Sequence, residues 1–165
     1  MLKFSTVLTV ASLVFLFGCT RSSVSVKGSV PGDEGRRAKP ATLWIATTRL
    51  TAAAGKRGNG FAEETYTDDG NFTLTIRVNL VPLGRTVGGG RYEGWLLSAD
   101  HIVKAGVLQS PKGNGTYFLT FQKQEDLRGY GKILITQEPP QDEHPDAPHE
   151  EILRGTFTVV ASAAE

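Results

Sequence analysis

The chain has 165 residues, a formal net charge of +1 at pH 7 and a single cysteine. A net charge so close to zero argues against a nucleic-acid-binding protein, because such proteins bind by neutralising many phosphates. One cysteine cannot form an intramolecular disulfide, so the burial of apolar side chains must stabilise the fold. The length suits a single domain with its own core.

The amino-terminal residues have the form of a bacterial export signal. Met1-Leu2-Lys3 is positively charged, residues 4–17 are predominantly apolar, and Gly18 is a small residue at the end of that stretch. This order is typical of a secretory signal, and the apolar stretch is shorter than the roughly 20 residues that span a bilayer. We therefore predict that residues 1–18 form a lipoprotein signal peptide that is removed.

The residue after this signal is Cys19, and Leu16-Phe17-Gly18-Cys19 resembles the lipobox of bacterial lipoproteins. The resemblance implies that the Cys19 sulfur receives diacylglycerol and that palmitate labels the protein. Two or three acyl chains anchor a protein stably, because each buried methylene contributes about 0.8 kcal/mol. We expect an extracytoplasmic protein of the cell envelope that is anchored through Cys19; the alternatives are a soluble periplasmic protein and a free thiol. The residue after Cys19 is Thr20 and not Asp, which in a Gram-negative bacterium resembles the pattern for sorting to the periplasmic face of the outer membrane.

Residues 19–40 separate the lipidated cysteine from a domain over residues 41–165. Val24, Val26 and Val30 alternate with polar residues, so this segment contains either a first strand or a flexible tether. Residues 35–57 carry six Lys or Arg and no acid. We expect a solvated basic loop there, with an electrostatic partner surface as the alternative.

Apolar and polar residues alternate with a period of two through most of the domain, which predicts an all-β fold. The clearest strand is residues 72–80, and the turn residues Asp68-Asp69-Gly70-Asn71 predict a hairpin with residues 61–67. One helical turn is expected at residues 124–128. Together these patterns predict a two-sheet β-sandwich of about eight or nine short antiparallel strands, with a β-barrel as the alternative. The other expected strands are residues 43–50, 92–98, 102–109, 116–122, 132–137 and 155–161.

The acidic segment at residues 138–151 contains two histidines and no Lys or Arg. Imidazole and carboxylate groups are metal ligands, which makes His144, His149, Asp142 and Asp146 candidates for a divalent-metal site. Prolines interrupt the segment, and proline-rich acidic loops are commonly extended and solvated. We expect a solvated loop, with a metal site as the alternative.

Five segments have the order and spacing of a known domain: Leu80-Val81-Pro82, Tyr92-Glu93-Gly94-Trp95-Leu96-Leu97, Ala105-Gly106-Val107-Leu108, Asp126-Leu127 with Tyr130, and residues 133–139. They resemble the extracytoplasmic C-terminal domain of anti-sigma-K factors over about residues 41–161. The resemblance implies a sensory β-sandwich, here as a lipoprotein without the family's sigma-binding region and transmembrane helix. We therefore expect no direct binding to a cytoplasmic sigma factor. The resemblance implies that the packing positions are Tyr92, Trp95, Leu96, Gly106, Glu138 and Pro139.

The sequence offers no convincing catalytic motif. Ser98, Asp100 and His101 lie on one turn, whereas a catalytic triad needs an orienting group from elsewhere in the fold. The glycine-rich residues 84–90 lack the Lys-Ser/Thr of a phosphate-binding loop. We predict a non-catalytic binding or sensory module for an envelope protein or ligand; the alternative is a periplasmic metal-binding lipoprotein. Four aromatic residues are expected in the core rather than on a binding platform: Trp44, Tyr66, Tyr92 and Trp95.

Overall fold

The structure is a computed structural model that describes residues 39–83 and 89–163. These ranges contain nine β-strands and no helix. They therefore contain no helical segment that could cross a membrane. The strands are β1 Thr42–Ala52, β2 Gly58–Thr67, β3 Phe72–Leu80, β4 Arg91–Leu97, β5 Ile102–Val107, β6 Thr116–Lys123, β7 Lys132–Glu138, β8 Glu150–Thr156 and β9 Thr158–Ser162. The expected signal peptide, Cys19 and the alternating valines at 24–30 lie outside the described residues.

All nine strands belong to one antiparallel sheet. Its order is β5-β4-β7-β8-β1-β2-β3-β6, and β9 also pairs with β1. A bridge between Gln109 and Phe118 joins the segment after β5 to β6, so the curled sheet nearly closes into a barrel. The all-β prediction is confirmed, and the one nearly closed sheet has features of both the expected sandwich and the alternative barrel.

The β2–β3 hairpin forms as its sequence predicts. Tyr66 is opposite Phe72, and the register continues without a bulge to Gly58 opposite Leu80. Gly70 in the connecting turn has φ of 80°, a left-handed conformation that glycine adopts without strain. This hairpin supplies five alternating apolar side chains of β3 to the core: Phe72, Leu74, Ile76, Val78 and Leu80.

The inner face of the curled sheet forms a single apolar core. Inward residues of β4, β7 and β8 meet those of β1 and β3, and Leu127 joins them from the segment after β6. Trp44 and Tyr92 are buried in this core, and Tyr66 is partly buried against it. The core members include Ala46, Leu50, Ala62, Leu96, Ile133, Ile135 and Leu153.

Two predictions about local structure are wrong. The single last strand expected at residues 155–161 is two strands, β8 and β9, which are separated at Phe157, where the amide donates to the Gly131 carbonyl. The helical turn expected at residues 124–128 is not helical, because the Asp126 carboxylate accepts hydrogen bonds from both the amide and the guanidinium of Arg128. Such a local bond favours a turn over a helix.

Candidate metal centre on the outer face of the sheet

The outer face of β4 and β7 carries buried polar side chains. In the register of these strands Glu93 is opposite Thr136, and Arg91 is opposite Glu138. Side chains alternate along a strand, so these four residues lie on the face opposite the core-facing Tyr92. Glu93, Thr136 and Glu138 are each 0% exposed.

Residues 139–149, which we call the acidic loop, fold against this face. The Pro145 carbonyl accepts a hydrogen bond of 2.9 Å from Lys104 Nζ, and Asp142 Oδ2 lies 3.3 Å from Arg91 Nη2. The Asp142 side chain is 3% exposed. The expectation of a solvated loop is therefore wrong at Asp142, because Arg91 of β4 draws its carboxylate onto the sheet.

Glu93 is the centre of the ion pairs beneath the loop. Its Oε1 accepts a 2.5 Å hydrogen bond from Arg91 Nε, and its Oε2 makes an ion-pair contact of 2.6 Å with Lys104 Nζ. The hydrogen bond to Glu93 raises the pKa of Arg91, and the charges of Glu93, Asp142 and Glu138 add to this effect. Two cations thus compensate one fully buried carboxylate.

Three ligand atoms meet where β7 ends and the acidic loop returns. The group comprises one oxygen each of Glu138 and Asp142 and a ring nitrogen of His149, and these atoms all lie within 4.8 Å of one another. His149 Nε2 lies 2.9 Å from Asp142 Oδ1 and 3.9 Å from Glu138 Oε2. One tetrahedral ion bound at about 2.0–2.2 Å from each ligand would fit after small shifts that lengthen the Asp142–His149 contact and shorten the Glu138–His149 distance.

The two oxygens of Glu138 have different surroundings. Oε1 accepts a short hydrogen bond from the Thr136 hydroxyl and a 3.2 Å bond from the His149 amide. Oε2 is buried and has no hydrogen-bond partner among the described residues. Trp95 Nε1 donates to the Thr136 hydroxyl oxygen at 2.8 Å, which fixes the direction of the Thr136 proton toward Glu138. This series of hydrogen bonds saturates Oε1 of Glu138 and leaves Oε2 near His149 without a hydrogen bond.

The electrostatics of the group favour a cation. Burial alone would raise the pKa of Asp142, but hydrogen bonds from the His149 ring and the His144 amide, with the charges of His149 and Arg91, hold it below its usual value. Three carboxyl groups, those of Glu93, Glu138 and Asp142, meet only two cationic side chains here. The carboxyl groups at the site thus outnumber the Lys and Arg side chains that contact them.

The structure brings together only part of the sequence-predicted site. Asp142 and His149 converge, whereas the exposed side chains of His144 and Asp146 lie outside the group of ligand atoms. Glu138, which the sequence suggested as a packing position, supplies the third ligand atom.

Sequence reasoning missed Glu93 and its two cationic partners, Arg91 and Lys104. The signal that was available is a glutamate inside the otherwise uncharged run from Tyr92 to Leu97. Of the positions carrying the family resemblance, Tyr92, Trp95, Leu96 and Glu138 are buried, while Gly106 and Pro139 are partly exposed.

The hairpin tip that carries the rejected triad has a simple structural role. The Ser98 hydroxyl accepts a 3.0 Å hydrogen bond from the His101 amide and donates to the His101 carbonyl. These bonds close the turn between β4 and β5. Most of the glycine-rich segment, residues 84–88, lies outside the described part of the chain.

No protein-family model matches the chain, and a search of curated proteins finds no match. The geometry of the outer face is therefore the basis of the functional argument.

Proposed function

We propose that the protein is a lipid-anchored extracytoplasmic binding module whose ligand is a divalent transition-metal ion held by Glu138, Asp142 and His149. The observation that carries this proposal is Glu138 Oε2, a buried carboxylate oxygen with no hydrogen-bond partner in the described ranges, 3.9 Å from His149 Nε2. A buried polar atom left unsatisfied costs about 1–3 kcal/mol, and more if charged. A metal ion between these groups removes that cost.

The donor set indicates the class of metal. The His149 imidazole favours zinc, copper or nickel over calcium and magnesium, while the two carboxylates accept either class. Three protein ligands leave a fourth position of a tetrahedral ion open. That position can take water or a donor group from an envelope partner, which agrees with the sensory role implied by the resemblance to anti-sigma-K factor domains.

Titration calorimetry with zinc chloride tests the metal proposal on the purified protein. We expect the wild type to bind a single ion and His149→Ala to lose measurable binding. His144→Ala is the matched control, since it removes an exposed imidazole from the same loop outside the ligand group. Equal losses in the two variants, or no binding by the wild type, would contradict the site.

Thermal unfolding provides a second readout of the same proposal. An ion that binds only the folded state raises the melting temperature in proportion to the logarithm of its concentration. Zinc should therefore stabilise the wild type and His144→Ala but leave His149→Ala unchanged. A similar shift in all three proteins would indicate binding elsewhere.

The membrane location is tested separately through Cys19. Growth with radiolabelled palmitate should label the wild type and leave Cys19→Ala unlabelled, because the Cys19 sulfur is the site of acyl attachment implied by the lipobox. The wild type should fractionate with membranes and Cys19→Ala should not. A labelled Cys19→Ala protein would remove the anchor from the proposal without affecting the metal site.

A further inference from the structure

A row of two aromatic rings and one cation crosses the outer face of β2, β3 and β6. The strand registers place Phe61 opposite Arg77 and Arg77 opposite Phe118. Phe61 is 45% exposed and Phe118 is 44% exposed. The guanidinium carbon of Arg77 lies 5.7 Å from the centre of the Phe118 ring, within the range of a cation–π contact.

Beside this row is a cleft of about 230 Å³, between the strands and the turn that precedes β6. This volume is below the roughly 300–1,000 Å³ of pockets for drug-sized ligands, which suits a single ring-sized group. The cleft is lined by Arg77, Pro111, Lys112, Asn114, Thr116 and Phe118.

The cleft is positively charged and none of its lining residues is acidic. Arg77 and Lys112 have no ion-pair partner in the described ranges, unlike half of the cations there. The cations with an acidic partner are Lys56, Arg91, Lys104, Lys123, Arg128 and Arg154. Two uncompensated cations in one cleft favour an anionic ligand, and the planar guanidinium of an arginine matches the two oxygens of a carboxylate.

Asn114 in the cleft and Asn79, which is opposite the lining residue Thr116, retain donors for hydroxyl groups. Asn114 Oδ1 accepts the Thr116 amide, and Asn79 Oδ1 accepts the Thr116 hydroxyl at 3.1 Å. Because only the oxygens of these two side chains are used in those bonds, their amide N–H groups remain available to a ligand. An exposed aromatic ring beside amide donors is suited to a sugar, which has an apolar C–H face and a rim of hydroxyl groups.

We infer that this cleft binds a carboxylated sugar of a polysaccharide. The carboxylate pairs with Arg77 and Lys112, the ring packs against Phe118, and the hydroxyl groups accept from Asn79 and Asn114. The site shares no residue with the proposed metal centre, so each can fail without the other.

Affinity electrophoresis of the full protein, purified in detergent, tests this inference with polygalacturonate as the probe and neutral dextran as its control. We expect polygalacturonate to retard the wild type and dextran to leave it unaffected. Arg77→Ala and Phe118→Ala should each weaken binding by about tenfold or more, the effect of losing one charged hydrogen-bonding or stacking contact. Arg77→Lys keeps the charge but loses the planar guanidinium, so its affinity should fall between those of the wild type and Arg77→Ala.

Lys132→Ala is the matched charge control, because Lys132 is an exposed cation on β7 with no ion-pair partner among the described residues and does not line the cleft. It should bind as the wild type does, and so should the metal-site variant His149→Ala. Equal weakening by Lys132→Ala and Arg77→Ala would show diffuse charge attraction and overturn the inference. Absence of retardation, equal retardation by dextran, or binding to phosphatidylglycerol vesicles instead of the polymer would also overturn it.

Discussion

Glu93 and Glu64 are both 0% exposed, but they lie on opposite faces of the same sheet. Glu93, on the outer face, contacts the cations of Arg91 and Lys104. Glu64 points into the core between Ala46 and Leu74 of the neighbouring strands, and neither of its carboxylate oxygens has a hydrogen-bond partner among the described residues. Burial raises the pKa of Glu64 to about 8, so this group is mainly a neutral acid at pH 7. On the outer face ion pairs compensate the buried carboxylate of Glu93. In the core no hydrogen bond compensates the burial of Glu64, which lowers the stability of the folded state.

The surroundings of Glu138 are intermediate between those of the paired Glu93 and the unpaired Glu64. One of its oxygens accepts hydrogen bonds from Thr136 and His149, and the other has no partner within the described ranges. A half-satisfied carboxylate beside an imidazole is the arrangement expected of a ligand site. The comparison of Glu93, Glu64 and Glu138 therefore separates a structural carboxylate, an uncompensated one and a candidate ligand.

The largest expected effect comes from Glu64→Leu. In the wild type the folded protein keeps the Glu64 proton up to about pH 8, whereas the unfolded chain loses it near pH 4.5, the ordinary pKa of a glutamate side chain. The Glu64 contribution to the free energy of unfolding should therefore fall by a few kcal/mol between these pH values, at about 1.4 kcal/mol per pKa unit. Glu64→Leu should lack this pH dependence and be the more stable protein at pH 8, as measured by urea unfolding at a series of pH values.

Glu63→Gln is the control for that series, because residue 63 is on the opposite, outer face of β2. It should keep the pH dependence of the wild type. If Glu64→Leu and Glu63→Gln show the same pH dependence, the cost assigned to Glu64 is wrong.

The next effect comes from removing a cation of the outer face. Lys104→Met deletes the contact with Glu93 Oε2, the hydrogen bond to the Pro145 carbonyl and the stacking 5.1 Å from the centre of the Trp95 ring. We expect a loss of about 2–3 kcal/mol in the free energy of unfolding, because a buried charge loses a partner. Lys123→Met breaks the exposed pair with Glu125 and should cost less than about 1 kcal/mol. Equal losses would mean that Glu93 does not depend on Lys104.

A smaller effect is expected from Thr136, which orients Glu138 but lies outside the proposed ligand set. Thr136→Val removes the hydroxyl that donates to Glu138 Oε1 and should weaken zinc affinity by about 10- to 100-fold. Thr136→Ser keeps that hydroxyl and should bind zinc as the wild type does. Calorimetry distinguishes the two variants; equal affinities for zinc would show that the Thr136 hydroxyl has no orienting role.

The fold follows from local signals more directly than the site does. The β2–β3 hairpin combines a strong period-two pattern with turn residues at 68–71, and both are visible in the sequence. Along β2 itself the pattern is ambiguous, because Phe61 is on the face with Glu63 and Ala62 on the face with Glu64. Only the register with β3 shows that Glu64 faces the core.

The candidate site depends on contacts between distant residues. The acidic loop offers two histidines, and nothing local distinguishes His149 from His144. The distinction arises because the His149 amide donates to Glu138 at the end of β7, which brings the His149 ring to Asp142. Glu93 and its cations position the loop from β4 and β5, and this arrangement has no counterpart in local sequence.

The most direct test of the metal proposal is a crystal structure with zinc and an anomalous difference map at the zinc absorption edge. We predict one strong peak at about 2.0–2.2 Å from oxygens of Glu138 and Asp142 and from His149 Nε2. A peak bound instead by His144 or Asp146, or no peak at the end of β7, would contradict the account.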